Sequence, residues 1–521
     1  MSQMLKSSGA MAVATMTSRV LGMVREMVYA SFMGTTWVAS AFQLAFTVPN
    51  LFRRLLGEGA LTAAFIPIFK HKEANEGEAE MWRSANAVIS FVATAAGAVT
   101  VLAVVAISLA LLNHGLQEET KLMLKLLRLM FPYMFLVCLA AVFIGMANAR
   151  GHFFVPALGA VLLNVIMIAS VLFLAPIMGV TLQEQVIGLA IGVVVAGLAQ
   201  ALFQLPSLRK EGYRYQWVSP WHDPTVREVV VKMLPGSIGV AAFQINVLLT
   251  QSFTFWFDPR IVATFAYAVR LMELPQGMFG ISLATYMLPT LSGLAAEKKY
   301  PEFRNTLSQG LSYLSFANLL AAAMSFALAE PIVRLIFERH AFTADDTQRV
   351  SLALQCLAPG LLMFSMNNIL ARAFYALRDI KTPMKISVLC LGLNLIFAIW
   401  LVQSQRAAGL AIANTMSAAI NLLLLTYALR RKLSRLGLEA VKRTLLILIP
   451  NALFAGLIAV LLFRGWESRF GHAHLWAKLG GVFVPGGIAG AIYWLIALGA
   501  KVPAAEDVLG LMRKIRGANR N

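Results

Sequence analysis

Residues 184–210 read EQVIGLAIGVVVAGLAQALFQLPSLRK, with one acidic residue at the start and no further charge until Arg209 and Lys210. A helix rising about 1.5 Å per residue over this run exceeds the roughly 30 Å of a bilayer's hydrocarbon core. It is a membrane span closed by two basic residues. The same run recurs: Gly188-Leu189-Ala190-Ile191 returns as Gly409-Leu410-Ala411-Ile412, and the Arg209-Lys210 ending returns as Arg430-Arg431. Pro49 with Pro275 repeats at an offset of 226 residues, and Pro132 with Pro359, Pro156 with Pro383 and Gly9 with Gly236 at 227. An ordered set of this kind marks an internal duplication. Six spans separate the copies, an even number, so both insert in the same direction and are related by an axis along the membrane normal. That is transporter architecture.

Working outward, about fourteen such stretches are legible. They run roughly 7–33, 36–70, 81–113, 121–149, 153–178, 184–208, 225–252, 256–295, 303–329, 347–376, 382–403, 407–430, 438–464 and 475–500. The expectation is an all-α polytopic protein of two six-helix lobes, residues 1–215 and 216–432, with a C-terminal helix pair and tail at 433–521. The composition agrees: 59% of 521 residues are hydrophobic and 13% charged, far too apolar for a soluble chain of this length. Disordered, collagenous and disulfide-framework classes fall with the soluble enzymes. The net charge of +19 names no nucleic-acid partner, because basic residues gather in cytoplasmic loops of membrane proteins. With the N-terminus inside, about three quarters of the loop Lys and Arg lie on the cytoplasmic side, which predicts cytoplasmic termini. Cys138, Cys356 and Cys390 sit in apolar runs and predict no disulfide. No loop is long enough for a folded extramembrane domain.

Charges inside the spans carry the functional reading. An Arg at mid-bilayer costs about 2.5 to 3.5 kcal/mol on insertion scales, so each needs a partner or a water-filled cavity. Arg19 and Arg25 fall in the first stretch, Arg53 and Arg54 in the second, and Arg270 in the eighth, whereas Lys125, Arg128 and Arg372 lie near span ends, where long side chains snorkel. Only Glu26, Glu58 and Glu273 oppose them. Two readings stand for Arg54 with Glu58 at i, i+4 and for Arg270 with Glu273 at i, i+3: local pairing, or ligand contact. Arg19, Arg25 and Arg53 exceed what Glu26 neutralises and are the strongest ligand candidates. Their planar guanidinium groups suit phosphate, and a pyrophosphate would engage two or three of them. Pro49 and Pro275 bend the second and eighth helices close by; an ordinary kink and a cavity-lining break are both open. All seven histidines fall in loops or at span ends, and there is no phosphate-binding loop, so no metal, cofactor or direct ATP drive is expected. Paired Gly480-Gly481 and Gly486-Gly487 near the last helix favour close helix packing over a lipid-facing groove.

Ser18-Arg19-Val20-Leu21-Gly22 with Arg25, Val48-Pro49-Asn50-Leu51-Phe52-Arg53-Arg54, and Gly57-Glu58-Gly59-Ala60 together resemble the signature of the MurJ (MviN) lipid II flippases. Arg270-Leu271-Met272-Glu273-Leu274-Pro275 and Asp379-Ile380-Lys381-Thr382-Pro383 extend the resemblance into the second half. It implies the multidrug/oligosaccharidyl-lipid/polysaccharide exporter fold and alternating access that carries undecaprenyl-pyrophosphoryl peptidoglycan precursor across the bacterial inner membrane. It also implies that Arg19, Arg25 and Arg270 are essential cavity arginines, with Arg53 beside them. Ser18, Glu26, Pro49, Asn50, Glu58, Glu273 and Pro275 would then be supporting or hinge residues, and the terminal helix pair would hold the polyprenyl tail. Cell-wall synthesis enzymes are implied partners. The chain departs from the family where it has Ser40 for a usual Asp, Thr47 for a frequent Lys and Val269 for an Asp before the arginine. It also lacks a buried Asp for sodium in the second lobe, where Gln244, Asn246, Asn394, Asn414 and Thr415 are neutral candidates, so coupling falls to an ion or the membrane potential. Other readings are a flippase for another polyprenyl-linked glycan, a non-transporting scaffold for wall enzymes, or a membrane enzyme working through Asp345-Asp346.

Overall fold

The computed structural model describes residues 2–57, 60–433 and 436–518, and every regular element among them is helical. The chain divides into two compact units, Met1–Ala263 and Thr264–Asn521. The first contains α1 (Ser2–Met33), α2 (Trp37–Phe52), a wide π-helical turn π1 (Arg53–Gly57), α3 (Ala60–Glu76), α4 (Glu78–Ala110), α5 (Glu118–Met130) and α6 (Pro132–Ala149). It continues with α7 (Phe154–Ala169), π2 (Ser170–Leu174), α8 (Ala175–Met178), α9 (Leu182–Lys210) and α10 (Pro224–Phe257). Although the repeat assigns α10 to the second copy, it packs on α2, α3 and α4. The second unit begins within α11 (Ile261–Pro275) and runs through π3 (Gln276–Ile281), α12 (Ser282–Ala296), α13 (Tyr300–Ala327), α14 (Ala329–Phe337), α15 (Ala344–Leu357) and α16 (Gly360–Ala376). It ends with α17 (Lys381–Leu433), α18 (Glu439–Phe470), α19 (Leu475–Gly499) and α20 (Pro503–Ala518).

Among the described residues nine helices are long and apolar enough to cross a membrane, or ten when α15 and α16, bent by 45°, count as one span. The stretch expected at 36–70 is shared by α2, π1 and α3. Those expected at 382–403 and 407–430 are two helices that meet at a kink at Arg406, where φ is 48° and ψ −125°, within the 53 residues of α17.

The duplicated Gly188 and Gly409 have one physical cause. A Cβ on Gly188 would lie 2.9 Å from the Ala175 backbone nitrogen, and one on Gly409 would overlap the Leu401 carbonyl. In both units the main chain at the end of the preceding span crosses this position, and only a residue without a side chain lets it through. The wide turns recur as well. Pro49 sits four residues before π1, and Pro275 immediately before π3. Proline removes the hydrogen bond to the carbonyl four residues back, and a local widening of the helix absorbs the lost bond.

Each unit has its own core. In the first, Tyr29 meets Phe42 edge-on at 5.6 Å, and Phe46 lies 5.8 Å from Tyr133. At one end of this unit Arg150, at the close of α6, is clamped by Glu73 of α3, by Glu78 of α4 at 3.1 Å and by Glu211 after α9 at 2.9 Å. The His152 ring and the Arg150 guanidinium hold the Glu211 carboxyl below its ordinary range. In the second unit α18 packs on α13 and α19 through Ala452, Ala455, Ala459, Ala489 and Ala497, the small residues that bring helices close in a membrane. Gly480 faces Trp466 with no room for a Cβ, whereas nothing approaches Gly487. Close packing is therefore enforced at Gly480, while a Cβ on Gly481 or Gly486 would meet ordinary contacts at 3.4 and 3.5 Å and one on Gly487 open space. Arg334 joins Glu467 of α18 at 2.6 Å and ties the terminal pair to α14.

Candidate functional site

Arg25 is the most engaged of the expected residues. Its Nη2 lies 2.5 Å from Glu26 Oε1, both side chains being 11% exposed. Its Nη1 donates to Asn164 Oδ1 at 3.1 Å and approaches Met167 Sδ at 3.7 Å, while the guanidinium carbon stands 5.9 Å from the centre of the Tyr29 ring. The Arg25 Nε and the Tyr29 hydroxyl are buried without a hydrogen-bond partner among the described residues. Asn164 Nδ2 in turn donates to the carbonyls of Ser18 at 3.2 Å and Ala160 at 3.0 Å. One amide on α7 thus fixes both the backbone and the guanidinium of α1. A buried amide costs several kcal/mol unless its hydrogen bonds are made, and here both ends make them.

Arg19, by contrast, is exposed and makes no hydrogen bond or ion pair among the described residues. Six residues at about 100° each place Arg19 and Arg25 about 120° apart around α1. The two arginines therefore do not share a face. Arg53 is half-buried in π1, and its Nε donates to Asn50 Oδ1 at 2.8 Å, so Asn50 aims the guanidinium. Glu58, the expected partner of Arg54, lies outside the described residues. In the second unit Arg270 forms the local pair: its Nη1 is 2.7 Å from Glu273 Oε2, with the side chains 40% and 45% exposed. Such an open pair is worth little and exchanges readily. Arg19, Arg25 and Arg53 belong to the first unit and Arg270 to the second.

Two of the three departures from the family pattern, Ser40 and Thr47, make local hydrogen bonds. Ser40 is fully buried, and its hydroxyl accepts the Ala263 N–H at 2.9 Å, a bond that any oxygen-bearing side chain of that reach could make. The Thr47 hydroxyl turns back to the Gln43 carbonyl at 2.8 Å. Thr415 donates to the Cys356 carbonyl at 2.9 Å, and Asn414 to that of Leu410 at 3.0 Å, so both serve backbone groups. Asp346 closes a capping box with Thr343 at the start of α15, and Asp345 pairs with Arg349. These are the duties of a helix terminus. Lys125 and Arg128 occupy the exposed side of α5, opposite buried Leu122, Leu126 and Met130.

Sequence reasoning missed Asn164. Its signal was present: it is a lone amide in the otherwise apolar run 153–178, and a buried polar residue in a span faces a partner. Attention to charge alone passed it over.

The arrangement defines a class first. Solved structures with this fold include an inward-facing MATE-family multidrug resistance transporter of the MOP superfamily, matched with a TM-score of 0.64 at 15% identity over 82% of this chain and 98% of that one. A lipid II flippase MurJ in an inward closed conformation matches with a TM-score of 0.74 at 22% identity, covering 94% and 99%. The protein is a polytopic membrane protein of that fold. The family model described as lipid II flippase MurJ matches residues 29–478. Probable lipid II flippases MurJ of Vibrio cholerae and Haemophilus influenzae are 33% and 32% identical, covering 81% and 96% of this chain and 82% and 98% of their own. The chain belongs to the lipid II flippase MurJ family.

Proposed function

We propose that this protein moves lipid II, the polyprenyl-pyrophosphoryl precursor of peptidoglycan, from the cytoplasmic to the periplasmic leaflet of the bacterial inner membrane by alternating access. In this reading both termini are cytoplasmic, fourteen spans form two lobes at 1–215 and 216–432, and the helix pair within 433–521 stands outside the repeat. The observation that carries it is the family match over residues 29–478 in a chain that keeps guanidinium groups within its apolar helices. Arg19 offers an exposed fork to phosphate, and Arg53 a fork aimed by Asn50. Arg25 and Arg270 each hold a carboxylate, Glu26 and Glu273, that a phosphate oxygen displaces while the guanidinium stays compensated; the freed Glu26 keeps its further contact. Binding is then an exchange of anions, and Asn164 keeps Arg25 in place while its partner changes.

The test is complementation of cells depleted of their own lipid II flippase. The wild-type chain is expected to restore growth and wall synthesis, and the Arg19→Ala, Arg25→Ala double variant to insert without restoring either. Failure of the wild type would favour another polyprenyl-linked glycan as cargo. Full rescue by the double variant would favour a scaffold for cell-wall enzymes.

A further inference from the structure

The first unit holds a cavity of about 210 Å³ between α4 and α10, its walls entirely apolar side chains. Phe52, Val88, Phe91, Val99, Val226 and Met233 mark its extent. From Val88 to Val99 it follows α4 for about 16 Å, at about 1.5 Å per residue. Its shape is therefore a slot parallel to the helices. At the far end Val99 is 42% exposed, and beyond it Val101, Leu102 and Leu109 present an open apolar face.

The near end is chemically different. The loop between α9 and α10 is fastened to α4 there: Asn86 Nδ2 donates to the Arg214 carbonyl at 3.0 Å, and the Tyr215 hydroxyl is 3.3 Å from Ser90 Oγ. This loop exposes Tyr215, Trp217 and Trp221, the residue types that settle at the level of lipid headgroups. Arg214 and, in the first turn of α10 next to Val226, Arg227 are both exposed, and their side chains make no hydrogen bond or ion pair among the described residues. The acids nearby are spoken for, since Asp223 caps α10 and Glu228 pairs with Lys232 at 2.6 Å.

We propose that this slot is a binding site for an anionic phospholipid, one acyl chain lying between α4 and α10 and the phosphate meeting Arg214 and Arg227. A dry apolar cavity forfeits dispersion contacts on its walls, and a hydrocarbon chain supplies them where water does not. Charge selects the headgroup, because a basic residue near the membrane surface favours an anionic lipid about fivefold. The slot borders π1 through Phe52, but its headgroup contacts, Arg214 and Arg227, are not the arginines of α1 and π1, and the proposal does not rest on the transport reading.

The test uses the purified full chain, delipidated and then exposed to phosphatidylglycerol or phosphatidylcholine carrying a photoreactive acyl chain. Labelling is expected in the peptides around Phe91–Val99 and Val226–Met233. Phosphatidylglycerol should be preferred about thirtyfold, the product of two arginines. Arg214→Ala with Arg227→Ala should bring the two lipids to parity, and Ala95→Phe, which fills the slot, should abolish labelling of both. Tryptophan-fluorescence melting checks that Ala95→Phe folds, and the arginine variants, at exposed positions, carry the test if it does not. Equal labelling by both lipids in the wild type, or unchanged labelling in a folded Ala95→Phe protein, overturns the proposal. So does displacement of phosphatidylglycerol by a polyprenyl pyrophosphate at equal concentration, which would give the slot to the transported lipid's tail.

Discussion

Replacing Glu26 by Gln leaves the guanidinium of Arg25, 11% exposed, without its counter-charge. Two unit charges about 4 Å apart attract by about 4 kcal/mol at an effective dielectric of about 20, and loss of one member of a buried pair costs about 3 to 5 kcal/mol. The Asn164 and Met167 contacts remain, so the low end applies, about 3 kcal/mol. For a cooperative unit of 150–250 residues, that lowers the melting midpoint by about 6 to 12 °C. Glu26 has a further interaction besides Arg25, so a single substitution does not isolate the pair. A double-mutant cycle does: Glu26→Gln, Arg25→Gln and both together, each melted in nanodiscs by tryptophan fluorescence. The double variant should be more stable than the sum of the single losses by about 2 kcal/mol or more, because removing both charges leaves neither stranded. If the losses simply add, to within about 0.5 kcal/mol, the pair behaves as an exposed contact and the anion-exchange mechanism loses its basis.

Gly188→Ala and Gly409→Ala should each sharply lower the yield of folded protein, since the obstructing atoms are backbone, while Gly487→Ala, with nothing within 4 Å, should be neutral by size-exclusion profile. Asp379 donates nothing but accepts from Lys432 at 2.7 Å and from Thr382, and these bonds hold its carboxyl at about 2. A depressed carboxylate contributes stability above its unfolded value and loses it as pH falls through the folded one, here between about pH 4 and 2. Asp379→Asn should therefore cost about 2 kcal/mol at neutral pH and flatten that acid limb in pH-dependent melting. Ser40→Ala should cost about 1 to 3 kcal/mol in the same melts by stranding the Ala263 N–H. Finally, collapsing the membrane potential should stop flipping in reconstituted vesicles and removing sodium should not; one charge crossing 100 mV is worth about 2.3 kcal/mol. Strict sodium dependence would contradict this.

What the sequence showed and what it hid follow from the kind of signal each feature leaves. Apolar runs and the offsets of Gly188, Gly409, Pro49 and Pro275 are linear signals, and the duplicated close approaches and wide turns have an account at those positions. The Arg270–Glu273 pair was legible because residues three apart share a helix face. Arg25–Glu26 was not: adjacent helical residues point about 100° apart, and the pair forms because both side chains are long enough to meet. Which acid would neutralise which arginine depended on how α1 is rotated against α7, and the anchor of that rotation, Asn164, lies 139 residues further along the chain. The helix periodicity of α1 does carry the roughly 120° between Arg19 and Arg25, which counting charges against Glu26 leaves out.

The clamp on Arg150 imposes an order on biogenesis. Glu73 and Glu78 precede it in the chain, but Glu211 comes sixty-one residues later, after α7, α8 and α9. While the ribosome is still synthesising α9, the arginine has carboxylates from two helices and lacks the third. The last helix of this group therefore arrives at a partly assembled bundle that already offers a charged socket for its end. A nascent chain halted before residue 211 should be looser to proteolysis at the ends of α3 and α6 than one halted just beyond it.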